Sequence, residues 1–159
     1  MIEKVWAVYY SATGNTKKAV HAIAEKLAEK LCVPLEKFDF TKPQVREREK
    51  CFTNQDLVVF GMPVYAGRLP NKILPFLETA LLGNGAKAIL VVTYGNRSYD
   101  DALLELKNVL EQRGFCAVAA AALVGQHAFA MQLATGRPDA CDIEQCEQFA
   151  CKIDRKSVV

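Results

Sequence analysis

Continuous apolar runs alternate with helix-period stretches along nearly all of this chain. Asp56-Leu57-Val58-Val59-Phe60-Gly61 and Ala86 to Thr93 lack the apolar–polar alternation of a sheet with one wet face. Strands of that kind need cover on both faces. Thr16 to Leu31 has the other period: Val20, Ile23, Ala24, Leu27 and Leu31 form one stripe, opposite Lys17, Glu25, Lys26, Glu29 and Lys30. The pattern predicts a first strand over Ile2 to Tyr10 and a less buried second one over Val33 to Phe40. It predicts a fifth strand over Phe115 to Val124. Leu69-Pro70 is expected to open a helix running to Leu82, with Ile73, Leu74, Leu77 and Leu81 inward. Ser98 and Asp101 have capping-box spacing for a helix that ends at Arg113, before Gly114. Asp139 is expected to cap a last helix to about Asp154. Thr41 to Gln55 is polar and predicts one or two helical turns at most. Five strands with helical crossovers predict an α/β fold, a parallel sheet with helices on both faces.

Size and charge narrow the function classes. The 159 residues suit one domain, spanning 1–159, with one sizeable core. A net charge of +2, with no basic run interleaved with aromatics, argues against nucleic acid. No apolar run approaches the roughly 20 residues of a membrane span. The N-terminus lacks the pattern of a secretion signal, so a cytoplasmic protein is the expectation. Six cysteines occur without a C-x-x-C, which signals neither a zinc knuckle nor an iron–sulfur cluster, and reduced, mostly buried thiols are expected. Gly83 to Ala88, GNGAKA, spells G-x-G-x-x-A but precedes a strand, so it is no dinucleotide fingerprint.

Chemistry concentrates in one loop. Ser11-Ala12-Thr13-Gly14-Asn15-Thr16 lies between the first strand and the first helix. In a parallel sheet, ligands sit beyond the carboxyl ends of the strands. A helix N-terminus there offers unpaired N–H groups and about half a unit of positive charge. A phosphate monoester fits this field. The hydroxyls of Ser11, Thr13 and Thr16 and the Asn15 amide can complete its shell, and Gly14 lets the backbone curl close. Many oriented dipoles make a lysine inside the loop unnecessary. The Gly-Lys-Ser/Thr of a Walker loop is absent, as is the cysteine–arginine pair of a phosphatase loop.

Two further loops leave the same sheet edge: Pro63-Val64-Tyr65-Ala66-Gly67-Arg68, and Thr93-Tyr94-Gly95-Asn96-Arg97-Ser98-Tyr99. Each pairs a tyrosine with a glycine, which suits the faces and edge of a planar aromatic ligand. One phosphate and one planar heterocycle describe FMN better than a dinucleotide.

On these residues the chain resembles the flavodoxin family. SATGNT matches that family's Ser/Thr-x-Thr-Gly-Asn-Thr phosphate signature at every defined position. GMPVYAGRLPNKILPFL, VVTYGNRSYDDALLELKNVLEQRGF and ATGRPD look like the flavodoxin half of bacterial flavodoxin–ferredoxin fusion proteins. The resemblance implies a three-layer sandwich with strand order 2-1-3-4-5. It implies FMN phosphate held by Ser11 to Thr16, and a ring flanked by Pro63 to Gly67 and by Thr93 to Asn96. Arg97 and Tyr99, on the same third loop, are further candidate cofactor contacts. It implies electron transfer with redox protein partners such as a ferredoxin or a reductase. Flavodoxins that shuttle electrons are usually strongly acidic, and +2 departs from that.

Within that reading, a peptide in Tyr65-Ala66-Gly67 is expected to reorient on flavin reduction, eased by Gly67. Arg68 and Arg97 are either ordinary solvated charges or partners of a carboxylate, or else cations near the reduced ring. Tyr99 either stacks on the ring or covers a helix start. His127 opens a long loop, either as a structural residue or as a proton gate. His21 is expected to be structural or solvated, and Trp6 to be core. An FMN-dependent oxidoreductase of quinones or similar small acceptors, and a flavin-free partner-binding module, are the alternative functions.

Overall fold

The computed structural model describes residues 1–127, 130 and 132–153. The described elements begin with β1 (Lys4–Tyr9), α1 (Asn15–Leu31) and β2 (Leu35–Asp39), followed by a 3₁₀ turn over Pro43–Glu47. Next come β3 (Lys50–Cys51), β4 (Asp56–Pro63), α2 (Leu74–Thr79) and β5 (Leu81–Leu82). The chain continues through β6 (Lys87–Tyr94), α3 (Ala102–Gln112), β7 (Cys116–Val124) and α4 (Ala140–Lys152). The expected helix end at Asp154 lies outside the described residues.

The main sheet is parallel throughout, ordered β2-β1-β4-β6-β7. Counted among its own five strands, that order is 2-1-3-4-5, the flavodoxin-like arrangement. Its centre is dry because its sequence is apolar on both faces. Residues 57–62 of β4 and 88–93 of β6 are all buried. One face packs on α1 and α4 through Val20, Ile23, Leu27, Cys146 and Ala150. The other packs on α2 and α3 through Phe76, Leu77, Leu106 and Leu110, with Phe40 and Phe52 from the crossover between β2 and β4. Gly61 lets α1 come close: a Cβ there would lie 2.2 Å from Val20 Cγ2 and 2.8 Å from Thr16 Cγ2. This contact seats the first turn of α1 against the sheet.

Several expectations need correction. The cysteines, expected to be mostly buried, are exposed except for Cys146, which packs between α4 and the sheet. The helix predicted from Leu69 to Leu82 shrinks to Leu74–Thr79. Pro75 has no N–H to donate, so the helix begins with it in the first turn, after a turn closed by Ile73 N–H to Pro70 O at 2.9 Å. Leu81 and Leu82 leave the helix to pair in parallel with Lys50 and Cys51. The Ser98–Asp101 capping box does not form. Ser98 Oγ donates to Asp100 Oδ1 at 2.6 Å instead, and Asp101 caps α3 without a side-chain bond. The capping box lies at α4, where Asp139 accepts from Asp142 N–H and Asp142 accepts from Asp139 N–H. Trp6 is only partly buried. Its Nε1 donates to Asp56 Oδ1 at 3.0 Å, and the Lys50 ammonium sits 3.7 Å from its ring centroid. His21 Nε2 lies 3.1 Å from the Tyr9 hydroxyl, a structural role.

Candidate functional site

The carboxyl ends of β1, β4, β6 and β7 surround a cleft of about 380 Å³. That volume falls within the roughly 300–1,000 Å³ typical of small-molecule sites. The first loop contributes Ala12, Thr13, Asn15 and Thr16. The second contributes Pro63, Val64, Tyr65 and Ala66, and the third Thr93, Tyr94 and Gly95. Gly67 and Arg97 line an adjoining hollow of about 220 Å³, together with Ser98 and Asp100. Ser11, Gly14, Asn96 and Tyr99 line neither space; Tyr99 stands edge-on to Tyr94, with ring centroids 5.4 Å apart.

The start of α1 is open. Gly14, at φ 90°, holds the N-cap position, and no side chain caps the helix. Ser11 Oγ accepts from Lys17 N–H at 3.1 Å, and Gly14 O from Lys18 N–H. The N–H groups of Ala12 to Thr16 have no acceptor among the described residues. Lys17 and Lys18 stand in the first turn, which carries no acidic residue. Cations there add to the positive end of the helix dipole, so the loop concentrates positive potential.

Besides Ser11, two more of the loop's polar side chains are committed within the protein. Asn15 Nδ2 donates to Gln126 O at 3.1 Å, so this amide ties the loop to the segment after β7. The Thr16 and Thr93 hydroxyls lie 2.6 Å apart. Of the pair's two hydrogens, one closes that contact and one stays free for a ligand.

Tyr65 to Arg68 form a tight turn. Tyr65 N–H donates to Arg68 O at 2.8 Å, and Arg68 N–H to Tyr65 O at 3.1 Å. Positive φ at both central residues, 51° at Ala66 and 76° at Gly67, is the mark of a type I′ turn. Ala66 pays for its left-handed backbone with about 1–2 kcal/mol. Burial, then the neighbouring Tyr10 hydroxyl, raises the Tyr65 phenol above its ordinary pKa. Arg68 turns outward from the cleft: its Nε and Nη2 grip Glu105 at 3.1 and 2.7 Å. Of the two roles open to Arg68, the structure thus shows the carboxylate partner. Arg97 carries no such partner among the described residues and faces the adjoining hollow.

Gly125, Gln126 and His127 complete the cleft wall, and the sequence had pointed only to His127. The signal for the others was their place after a fifth strand, on the same sheet edge. The His127 ring lies on Gly95, where a Cβ would come within 2.5 Å of Cδ2. Its Nδ1 accepts from Ala130 N–H at 3.0 Å. Gln126 is held in turn: its N–H donates to Arg137 O, and its Oε1 accepts from Gly136 N–H. Arg137 forms a two-pronged pair with Asp142, whose carboxyl it pulls down from 3.8 to about 2.

Comparison with known proteins agrees with this architecture. A family model described as a flavodoxin domain matches residues 7–127. A comparison with curated protein sequences gave no match. Among solved structures, a flavodoxin from an archaeon superposes with a TM-score of 0.65 at 18% identity, covering 97% of this chain and 98% of its own. Oxidised flavodoxin 1 of Bacillus cereus gives 0.63 at 20%, covering 94% and 95%. An NADH:FMN oxidoreductase in its apo form gives 0.66 at 16%, covering 96% and 91%.

Proposed function

Because this chain belongs to the flavodoxin family, we propose that it holds FMN in the cleft and carries one or two electrons between redox partners. Members of the family bind flavin, typically FMN, and pass electrons to redox partners. One observation carries the reading for this chain. The N–H groups of Ala12 to Thr16, unpaired at an uncapped helix start, line or adjoin the same cleft as the Tyr65–Arg68 turn.

The donor set fits the phosphate of FMN. Five backbone N–H groups, the Thr13 hydroxyl and the free hydrogen of the Thr16–Thr93 pair would hold it, and Lys17 and Lys18 add charge at the rim. Ser11 supports the loop by accepting from Lys17 N–H. Asn15 keeps the 125–127 wall in place through Gln126. Pro63 to Gly67 on one side and Thr93 to Asn96 on the other would flank the ring. When bound, the flavin supplies one- and two-electron chemistry. The protein supplies position and electrostatics. The Ala66–Gly67 peptide is the group that can turn a carbonyl toward the ring edge, and Arg97 is the cation available to a charged ring. The likeness to the flavodoxin half of fusion proteins favours a ferredoxin or its reductase as partner, in the cytoplasm. Among the described residues no helix is long and apolar enough to cross a membrane.

Calorimetry on flavin-stripped protein tests the reading. FMN is expected to bind at least about tenfold tighter than riboflavin, which lacks the phosphate. Absent heat with FMN would overturn the proposal and leave a flavin-free binding module. A second reading, an FMN-dependent reductase of quinones or similar small acceptors, draws on the adjoining polar hollow beside Arg97, Asp100 and His127. Steady turnover of a quinone with NADH or NADPH would establish it over electron carriage.

A further inference from the structure

The Tyr65–Arg68 turn does not stand alone. Glu105, in the first turn of α3, accepts twice from Arg68 and once from Leu69 N–H, at 2.9 Å. Its side chain is 13% exposed, whereas that of Arg68 is 60% exposed. A partly buried carboxylate satisfied by three donors is a fixed point, and the exposed arginine is the strap tied to it. The strap is electrostatic as well: the Arg68 guanidinium holds the Glu105 carboxyl below its ordinary pKa. The Asp100 carboxylate lies against Gly67 in the same turn, 2.4 Å from where a Cβ would stand. Asp100 is itself fixed by Ser98, which donates to Oδ1 and accepts from the Asp100 N–H. Two carboxylates from the α3 entry therefore bracket one strained turn.

We infer that Glu105 is a positioning residue: with Asp100 it bolts the Tyr65–Arg68 turn to the start of α3, so that α3 sets how readily this turn changes conformation. The turn keeps Ala66 at φ 51°. Local strain of this kind persists only where its surroundings hold it. Releasing the bolt lets the Ala66–Gly67 peptide rotate at lower cost. The redox consequence rests on the FMN reading; the mechanical one does not.

Two variants test it. Glu105→Gln removes the ion pair and keeps an acceptor for Leu69. Arg68→Gln changes only the exposed strap, so the core is untouched. Amide exchange is measured first, on flavin-free protein. In both variants the Tyr65 and Arg68 amides are expected to exchange about tenfold faster by local opening, with the urea midpoint nearly unchanged. The double variant is expected to match the singles, because one interaction is removed in each case. Unchanged exchange in both variants overturns the inference, whatever the flavin does. Potentiometry on FMN-loaded protein follows. The gap between the first and second one-electron potentials is expected to widen by about 59 mV, a tenfold change in the equilibrium constant. Faster exchange with an unmoved gap would overturn the link from brace to potential. Failure to load FMN would count against the FMN reading and leave the exchange result to decide the brace.

Discussion

The hydroxyls of Thr16 and Thr93 meet at 2.6 Å, and both residues are buried. They join the first turn of α1 to the end of β6 across 77 residues of sequence. Thr16→Val keeps the shape but strands the Thr93 hydroxyl. It is expected to lower stability by about 1–3 kcal/mol, and Thr16→Ser to recover most of it. Urea unfolding of both variants checks this, and equal losses in the two would refute the hydrogen-bond account.

Gly95 and His127 make a second contact of this kind. A methyl group at position 95 collides with the imidazole, so Gly95→Ala must displace the 125–127 wall. FMN affinity is expected to fall about tenfold, roughly 1.4 kcal/mol, with little change in secondary structure. Calorimetry reads the loss; affinity equal to that of the parent protein would show that the wall does not touch the ligand.

Gly67→Val meets two obstacles, a φ of 76° and the Asp100 carboxylate. The turn can then hold only strained geometries, and the gap between the one-electron potentials is expected to narrow. Adding Asp100→Gly relieves the clash but not the backbone strain. Full recovery in the double variant would place the effect on space instead of on φ.

The Arg137 guanidinium beside Asp142 pulls its carboxyl from an ordinary 3.8 down to about 2. A depressed carboxylate stabilises the fold above its unfolded pKa and loses that stabilisation as pH falls through the folded one. The contribution is about 2 kcal/mol at most, since the Arg137 side chain is 36% exposed and solvent screens the pair. Asp142→Asn should therefore be less stable than the parent protein at neutral pH, with the difference closing between pH 3.8 and about 2. Urea midpoints across that range check this; a constant difference would assign the effect to packing.

Arg97 faces the hollow beside the cleft without a carboxylate partner among the described residues. Arg97→Ala is expected to lower the potential of the electron that leaves negative charge on the ring, and added salt is expected to shrink the difference. Potentiometric titration at two ionic strengths measures both. A potential that does not fall leaves Arg97 as surface charge.

The fold was legible because its signals are local and periodic. The dry runs of β4 and β6 and the stripe of α1 are each written within a few turns of sequence. The hydroxyl-rich loop could be read the same way, since a strand, that segment and a helix follow one another directly. The span from Leu69 to Leu82 misled for a complementary reason. Its apolar spacing is helical, but Leu81 and Leu82 pair with Lys50 and Cys51, some 30 residues away. No local period records such a partner.

Sequence alone thus determined the five strands of the main sheet and most of the helices, and it singled out the loop whose amides stand open. Periodicity and end-capping act between neighbours in the chain. Only the tertiary structure decided how individual polar groups are spent. It gave the Asn15 amide to Gln126, 111 residues on, and Arg68 to Glu105, 37 residues on. A hydrogen bond forms with whatever packing brings within about 3 Å, and that neighbour is chosen by the folded sheet and its layers, not by adjacency along the chain.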